Sequence, residues 1–193
     1  MVKAERKAEG GKEQALTKRV PIPEGVSVQV TGRTVRVSGG AYVLEKTFSD
    51  PRTNALISVT NDNGTVVVSA TSDRKKVRAM TGTIVASVRR MITGVTSGYT
   101  YTMRIFSVHF PMNVTVKDRD IQIKNFLGEK TLRTTHVHGN VSIKVDKETI
   151  VVSGPSKEDV SQTCANIESA VRMSKKDRRI FQDGIYMESK SAR

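Results

Sequence analysis

One stretch of this chain occurs twice, and that duplication limits the fold more than any other feature of the sequence. Thr65-Val66-Val67-Val68-Ser69-Ala70-Thr71-Ser72 aligns with Thr149-Ile150-Val151-Val152-Ser153-Gly154-Pro155-Ser156, identical at five of eight positions at an offset of 84. Upstream, Pro23 matches Pro111 at an offset of 88, and the helical faces downstream superpose at 83. A drifting offset is what small loop insertions leave behind. The pattern predicts two copies of one supersecondary unit.

Each copy reads as short strands followed by one helix. In the first, Val26-Ser27-Val28-Gln29-Val30 and Arg33-Thr34-Val35-Arg36-Val37 alternate with the period of a half-buried strand, with Thr31-Gly32 turning between them. Gly39-Gly40 marks another turn, and a third strand is predicted over Tyr42 to Phe48. Ile57-Ser58-Val59 and Thr65 to Ala70 form a hairpin around Asn61-Asp62-Asn63-Gly64. A helix follows over about residues 73–92, capped by Ser72, with Val77, Met80, Ile84, Val88 and Met91 on one face. The second copy repeats the order. Val114-Thr115-Val116, Ile121-Gln122-Ile123 and Glu129 to Thr135 are strands, and Val141 to Val145 with Thr149 to Gly154 make a hairpin. Ser156 caps the second helix, whose buried face is Val160, Cys164, Ile167 and Val171.

The expected fold is therefore α+β: two tandem similar domains, each an antiparallel sheet with one helix packed on a face. The expected division is a flexible basic arm over 1–19, domains over 20–95 and 96–174, and a basic tail over 175–193. Gly94-Val95-Thr96-Ser97-Gly98 falls at the join and reads as a connector.

Charge then restricts the partner. Lysine and arginine number 32 against 19 acids, a net charge of +13. That excess points to a polyanion: nucleic acid or an anionic membrane surface. No apolar run approaches the roughly 20 residues that span a bilayer, and the charged opening MVKAERKAEGGKEQ lacks the apolar core of a secretory signal. Nucleic acid in the cytosol or nucleus is the expected setting, with neither membrane nor small-molecule substrate.

Catalytic and metal-binding patterns are missing. The chain has no G-x-x-x-x-G-K-[ST] run, no G-x-G-x-x-G after a strand and no G-x-S-x-G elbow. Cys164 is the single cysteine, so it forms no intrachain disulfide, and its place on a helical apolar face makes it a small hydrophobe. His136 and His138 are spaced to share a face, but no third ligand lies near them in sequence. No catalytic residue, metal or cofactor is expected.

The binding candidates are basic. Lys175, Lys176, Arg178 and Arg179 are the densest cluster, with Ile180, Phe181, Ile185 and Tyr186 as apolar or aromatic anchors. The cluster is either a solvated charge run or a set of phosphate contacts, with rings that anchor the tail or stack on bases. Arg74, Lys75, Lys76 and Arg78 leave the same two readings open. The segment Lys124-Asn125-Phe126-Leu127-Gly128-Glu129-Lys130 places Phe126 and Leu127 at an expected exposed turn. They either pack against the neighbouring unit or insert into an RNA surface.

Six motifs, in order over roughly residues 20–187, resemble one family. They are Ile22-Pro23-Glu24-Gly25-Val26, Gly32-Arg33-Thr34-Val35, Gly94 to Arg104 (GVTSGYTYTMR), His109-Phe110-Pro111-Met112-Asn113-Val114, Asn125 to Lys130 (NFLGEK) and Asp183-Gly184-Ile185-Tyr186. The chain resembles the L-six family of large-subunit ribosomal proteins, in particular its cytosolic eukaryotic branch. The resemblance implies the same duplicated α+β fold and a non-catalytic ribosomal role. It implies binding to large-subunit ribosomal RNA, mainly through the second domain, near the sarcin–ricin loop and the stalk base. Neighbouring ribosomal proteins would flank it, and nucleolar assembly would precede work in the cytoplasm. The RNA-facing residues it suggests are Lys124, Asn125, Phe126, Lys130, Arg133, Lys175, Lys176, Arg178, Arg179 and Tyr186. The chain departs from the family twice. The family's arginine-rich first hairpin is replaced by Gly39 to Phe48 (GGAYVLEKTF), which weakens the case for an RNA contact there, and the leading arm is longer than usual.

Overall fold

A computed structural model describes residues 16–62, 64–173, 176–177 and 179–192. The first repeat runs β1 (Leu16–Pro21), β2 (Val26–Thr31), β3 (Thr34–Gly39), β4 (Tyr42–Thr47), β5 (Ile57–Asp62), β6 (Thr65–Ala70) and α1 (Lys75–Thr96). The second runs β7 (Tyr99–Phe106), β8 (Asn113–Lys117), β9 (Asp120–Lys124), β10 (Arg133–His136), β11 (Ser142–Val145), β12 (Thr149–Gly154), α2 (Lys157–Ala170) and β13 (Gly184–Ala192). Each repeat contributes two sheets: β1-β6-β5 and β2-β3-β4 in the first, β11-β12-β7-β13 and β10-β9-β8 in the second. The α+β class and the duplication are as the sequence predicts.

The duplication extends to strand register. β1 pairs antiparallel with β6 from Leu16↔Ala70 to Pro21↔Thr65. β7 pairs with β12 from Tyr99↔Gly154 to Arg104↔Thr149, the same six-residue pairing moved along the chain. Ser58 faces Ser69, and Ser142 faces Ser153. In the first pair the two hydroxyls hydrogen-bond at 2.7 Å.

Three strands are not among those the sequence predicts. Leu16 to Arg19, assigned to the arm, are the start of β1. It is an edge strand in which only Val20 is fully buried, so it shows little alternation. β7 does alternate, with Tyr99, Tyr101, Met103 and Ile105 buried. The tail also holds a strand: β13 pairs with β7 from Gly184↔Phe106 to Ala192↔Tyr99, with a bulge between Met187 and Ser189.

Helix α1 buries Val77, Ile84, Val88 and Met91 as the spacing requires, together with Thr81, Val85, Ile92 and Val95. It begins at Lys75, so the residue before it is Arg74 and Ser72 is too far away to cap it. Its other end corrects the expected connector, because Gly94, Val95 and Thr96 are helical. Gly94 is needed for close approach, since a Cβ there would lie 2.0 Å from the Pro155 carbonyl oxygen. The turn falls at Gly98, whose φ of +73° suits glycine.

By backbone contacts one compact unit holds, among the described residues, Leu16–Pro23, Val28–Arg36 and those of Glu45–Val88, and the other holds Glu24–Ser27, Val37–Leu44 and the described residues from Arg89 onward. In the second, α2 packs on β7, β12, β13 and β10. Ser156 caps it as predicted, accepting the Asp159 N–H at 3.3 Å, with Glu158 and Asp159 favourably placed in the first turn. Val160, Cys164 and Ile167 are fully buried in a core shared with Met103, Ile121, Ile123, Phe126, Ile150 and Ile185. Burial pushes the Cys164 thiol up to about 11, consistent with a packing role.

Candidate nucleic-acid interface

The turn after β9 has an uncommon backbone. Asn125 (φ 61°), Leu127 (φ 52°) and Gly128 (φ 75°) all lie in the left-handed region. Glycine tolerates it freely and asparagine fairly well, but a leucine there costs about 1–2 kcal/mol. Three contacts hold the turn. Asn125 Nδ2 donates to the Pro111 carbonyl at 3.0 Å, Glu129 N–H donates to the Phe126 carbonyl at 2.9 Å, and the Phe126 ring is buried.

Phe126 is therefore corrected as an RNA contact. The left-handed Asn125 turns the chain so that the ring enters the core, and Leu127 packs partly against the same cluster. The packing alternative named the neighbouring unit; the segment packs instead into the core of its own repeat.

Arg133, also expected to face RNA, has partners within the protein. Its Nε and Nη2 donate to the two carboxylate oxygens of Glu129 at 2.9 and 2.8 Å. Its Nη1 donates to the Ala170 carbonyl at 2.8 Å, and its guanidinium carbon lies 4.4 Å from the Phe126 ring centroid. A fork committed to a carboxylate, a carbonyl and a ring has little left for phosphate. Arg133 instead clamps the turn to the C-terminal end of α2. The same hydrogen bond holds the Glu129 carboxyl below its usual range, against a smaller opposing effect of burial, with the Arg133 and Lys176 charges adding to the lowering.

The exposed cations of the turn are Lys124 and Lys130. Those of the tail are Lys176, Arg179 and, on β13, Lys190, while Lys175 and Arg178 lie outside the described residues. The clamp ties the turn to the end of α2, where Arg133 reaches the Ala170 carbonyl, and the Lys176 charge adds a small lowering at Glu129. The Lys176 ammonium sits 4.6 Å from the Phe181 ring centroid, and that ring lies 5.1 Å from the His109 imidazole.

Asp183 organises this end, and its place in a motif is all that its sequence context shows. Its side chain is 1% exposed. It accepts the backbone N–H of Val108 and lies 3.1 Å from His109 Nδ1. A carboxylate so buried survives only with such partners. No local pattern announces it, because the donors come from 75 residues away in sequence. Tyr186 is on β13, exposed, with its ring centroid 5.8 Å from that of Phe106.

Other candidates lie on other elements. Arg74, Lys75, Lys76 and Arg78 are exposed at the start of α1, and Arg78 pairs with Asp73 at 3.5 Å. His136 contacts Asp120, and His138 lies 3.6 Å from Asp159, so each histidine has its own carboxylate. Among the described residues no group of three or more potential ligands could hold a metal.

Comparisons with known proteins follow the same two-repeat division. A family model described as ribosomal protein L6 matches residues 22–98 and 110–184. A relative from Methanocella arvoryzae is 41% identical over 175 residues, covering 90% of this chain and 97% of its own. One from Methanococcus vannielii is 43% identical over 178 residues, covering 92% and 96%. One from Natronomonas pharaonis is 43% identical over 170 residues, covering 87% and 93%. All three are named large ribosomal subunit protein uL6.

Proposed function

Since the chain belongs to the ribosomal protein L6 family, we propose that it is a structural constituent of the large ribosomal subunit whose second repeat and tail bind large-subunit ribosomal RNA. It is not an enzyme, because the family is one of structural proteins. One observation carries the RNA reading: the turn that Arg133 fixes to the end of α2 presents exposed Lys124 and Lys130, and the chain running on from α2 presents exposed Lys176 and Arg179. Lys124, Asn125, Lys130, Lys176, Arg179 and Tyr186 are the assigned contacts, and Lys175 and Arg178 join them as part of the same basic run. Phosphate contacts would position the protein, with aromatic rings and backbone groups reading RNA shape.

The proposed location is near the sarcin–ricin loop and stalk base, beside other large-subunit proteins and bordering the region where translation factors dock. The protein works on the cytoplasmic ribosome, with assembly in the nucleolus.

Sedimentation tests the first claim. The native protein should travel with the large subunit through a moderate-salt sucrose gradient. Recovery mainly as unassembled protein would favour a free RNA-binding module instead. Footprinting ribosomal RNA with and without the protein tests location, and protection confined to other helices would refute the stalk-base placement.

A further inference from the structure

The register of β7 and β13 places Phe106 opposite Gly184 and Arg104 opposite Tyr186. Met103, Ile105 and Ile185 point into the core, so by strand alternation Arg104, Phe106 and Tyr186 stand on the sheet's other face. We propose that this corner of the β11-β12-β7-β13 sheet is a stacking platform for unpaired RNA bases. The proposal rests on the RNA-binding reading and specifies a contact within it that carries no phosphate.

Two half-exposed rings stand side by side. Phe106 is 42% exposed and Tyr186 41%, with ring planes tilted by 56°. The Tyr186 ring leans over Gly184, where a Cβ would lie 2.9 Å from it. Glycine thus lets the ring lie down on the strand, fixing its orientation and leaving its other face outward. A ring already held in place loses little entropy when a base stacks on it.

Arg104 completes the corner. Its guanidinium carbon is 5.5 Å from the Phe106 centroid. Its nitrogens lie 3.9 Å from Glu148 and 3.8 Å from Glu188, the latter on the β13 bulge. Two carboxylates outweigh the one positive charge here, so this corner is ill suited to phosphate. They hold a planar guanidinium beside two rings, which suits a flat, uncharged base. The rest of this face carries Thr100, Thr102, Thr149, Val151 and Ser153, with Ser142 and Lys144 farther off on β11. Hydroxyls there suit base edges and ribose better than they suit the apolar centre of a protein interface.

Stacking releases no counterions, whereas each phosphate contact does. Losing the platform should therefore weaken binding without changing its salt dependence. The test measures Kd of the full chain for in-vitro-transcribed large-subunit rRNA over a KCl series, for wild type, Phe106→Leu, Tyr186→Leu and Tyr186→Phe. Each leucine variant should bind roughly fivefold to a hundredfold more weakly at an unchanged salt slope, and Tyr186→Phe should bind as wild type. Ultraviolet crosslinking of wild type to the same RNA should label Phe106 or Tyr186, a readout that needs no variant to fold.

Leucine variants that bind as wild type, or an absence of crosslinks at both rings, would overturn the platform while leaving the RNA reading intact. Normal affinity for naked RNA with lost co-sedimentation would overturn it in favour of a protein partner. Failure of wild type to bind the rRNA would remove the broader reading and the platform with it.

Discussion

Arg133 shows how one side chain can hold a surface turn in place. The guanidinium uses a bidentate carboxylate pair, a helix-end carbonyl and a ring face at once. Lysine keeps the charge but cannot reproduce the fork. Arg133→Lys should therefore lower stability by about 1–3 kcal/mol in urea unfolding, while RNA affinity of the folded protein changes little. A large affinity loss with unchanged stability would return Arg133 to the RNA contacts. Glu129 gives the clamp a pH signature. Its folded carboxyl titrates below the usual range, so the pair's stabilisation is complete above the ordinary glutamate value of about 4.3 and is lost as pH falls through the lowered folded value. The urea midpoint of wild type should exceed that of Glu129→Gln at pH 7, and the gap should close towards pH 3. A gap independent of pH would separate the charge from the clamp. Phe126 and Asp183 mark where sequence reading ends at this scale. A phenylalanine between Asn125 and Gly128 reads as exposed until the left-handed Asn125 turns it inward. The partners of Asp183 come from a distant loop.

Elements were legible where their period was uninterrupted. The β5–β6 and β11–β12 hairpins, the buried faces of both helices and the Ser156 cap all follow from spacing and turn chemistry. β1 escaped because an edge strand with Lys18 and Arg19 exposed has one buried position and no rhythm. The end of α1 escaped because glycine signals a turn by default, whereas Gly94 serves a close approach. A Cβ there would sit 2.0 Å from the Pro155 carbonyl oxygen and 3.2 Å from the Tyr99 ring. Backbone cannot swing aside as a flexible side chain can. Gly94→Ala should therefore destabilise by about 1–3 kcal/mol or more, although alanine normally favours helices by roughly 1 kcal/mol over glycine. Denaturant midpoints check the sign: a stabilised Gly94→Ala would mean the approach relaxes freely.

Over the whole molecule, a net charge of +13 makes binding to polyanion salt-dependent. Replacing Lys124, Lys130, Lys176 and Arg179 together with alanine should weaken rRNA binding. It should also flatten log Kd against log salt by roughly 0.7–0.9 for each phosphate that is no longer neutralised. An unchanged slope would show these four to be solvated charges. The charge was plain from composition, but which cations stay exposed was not, because that depends on how the turn and the tail fold. The matched registers have a further consequence, concerning the life of the protein before assembly. In the second repeat, β13 occupies the outer edge of β7; in the first, β1 is an edge with no further strand among those described. A bare edge invites another chain to add a strand and start a fibril. Lys18, Arg19 and Pro21 stand on that edge, where like charges repel a second copy and a proline withholds a donor. Part of the chain's basic character thus acts as a guard against self-templating in the interval between synthesis and assembly.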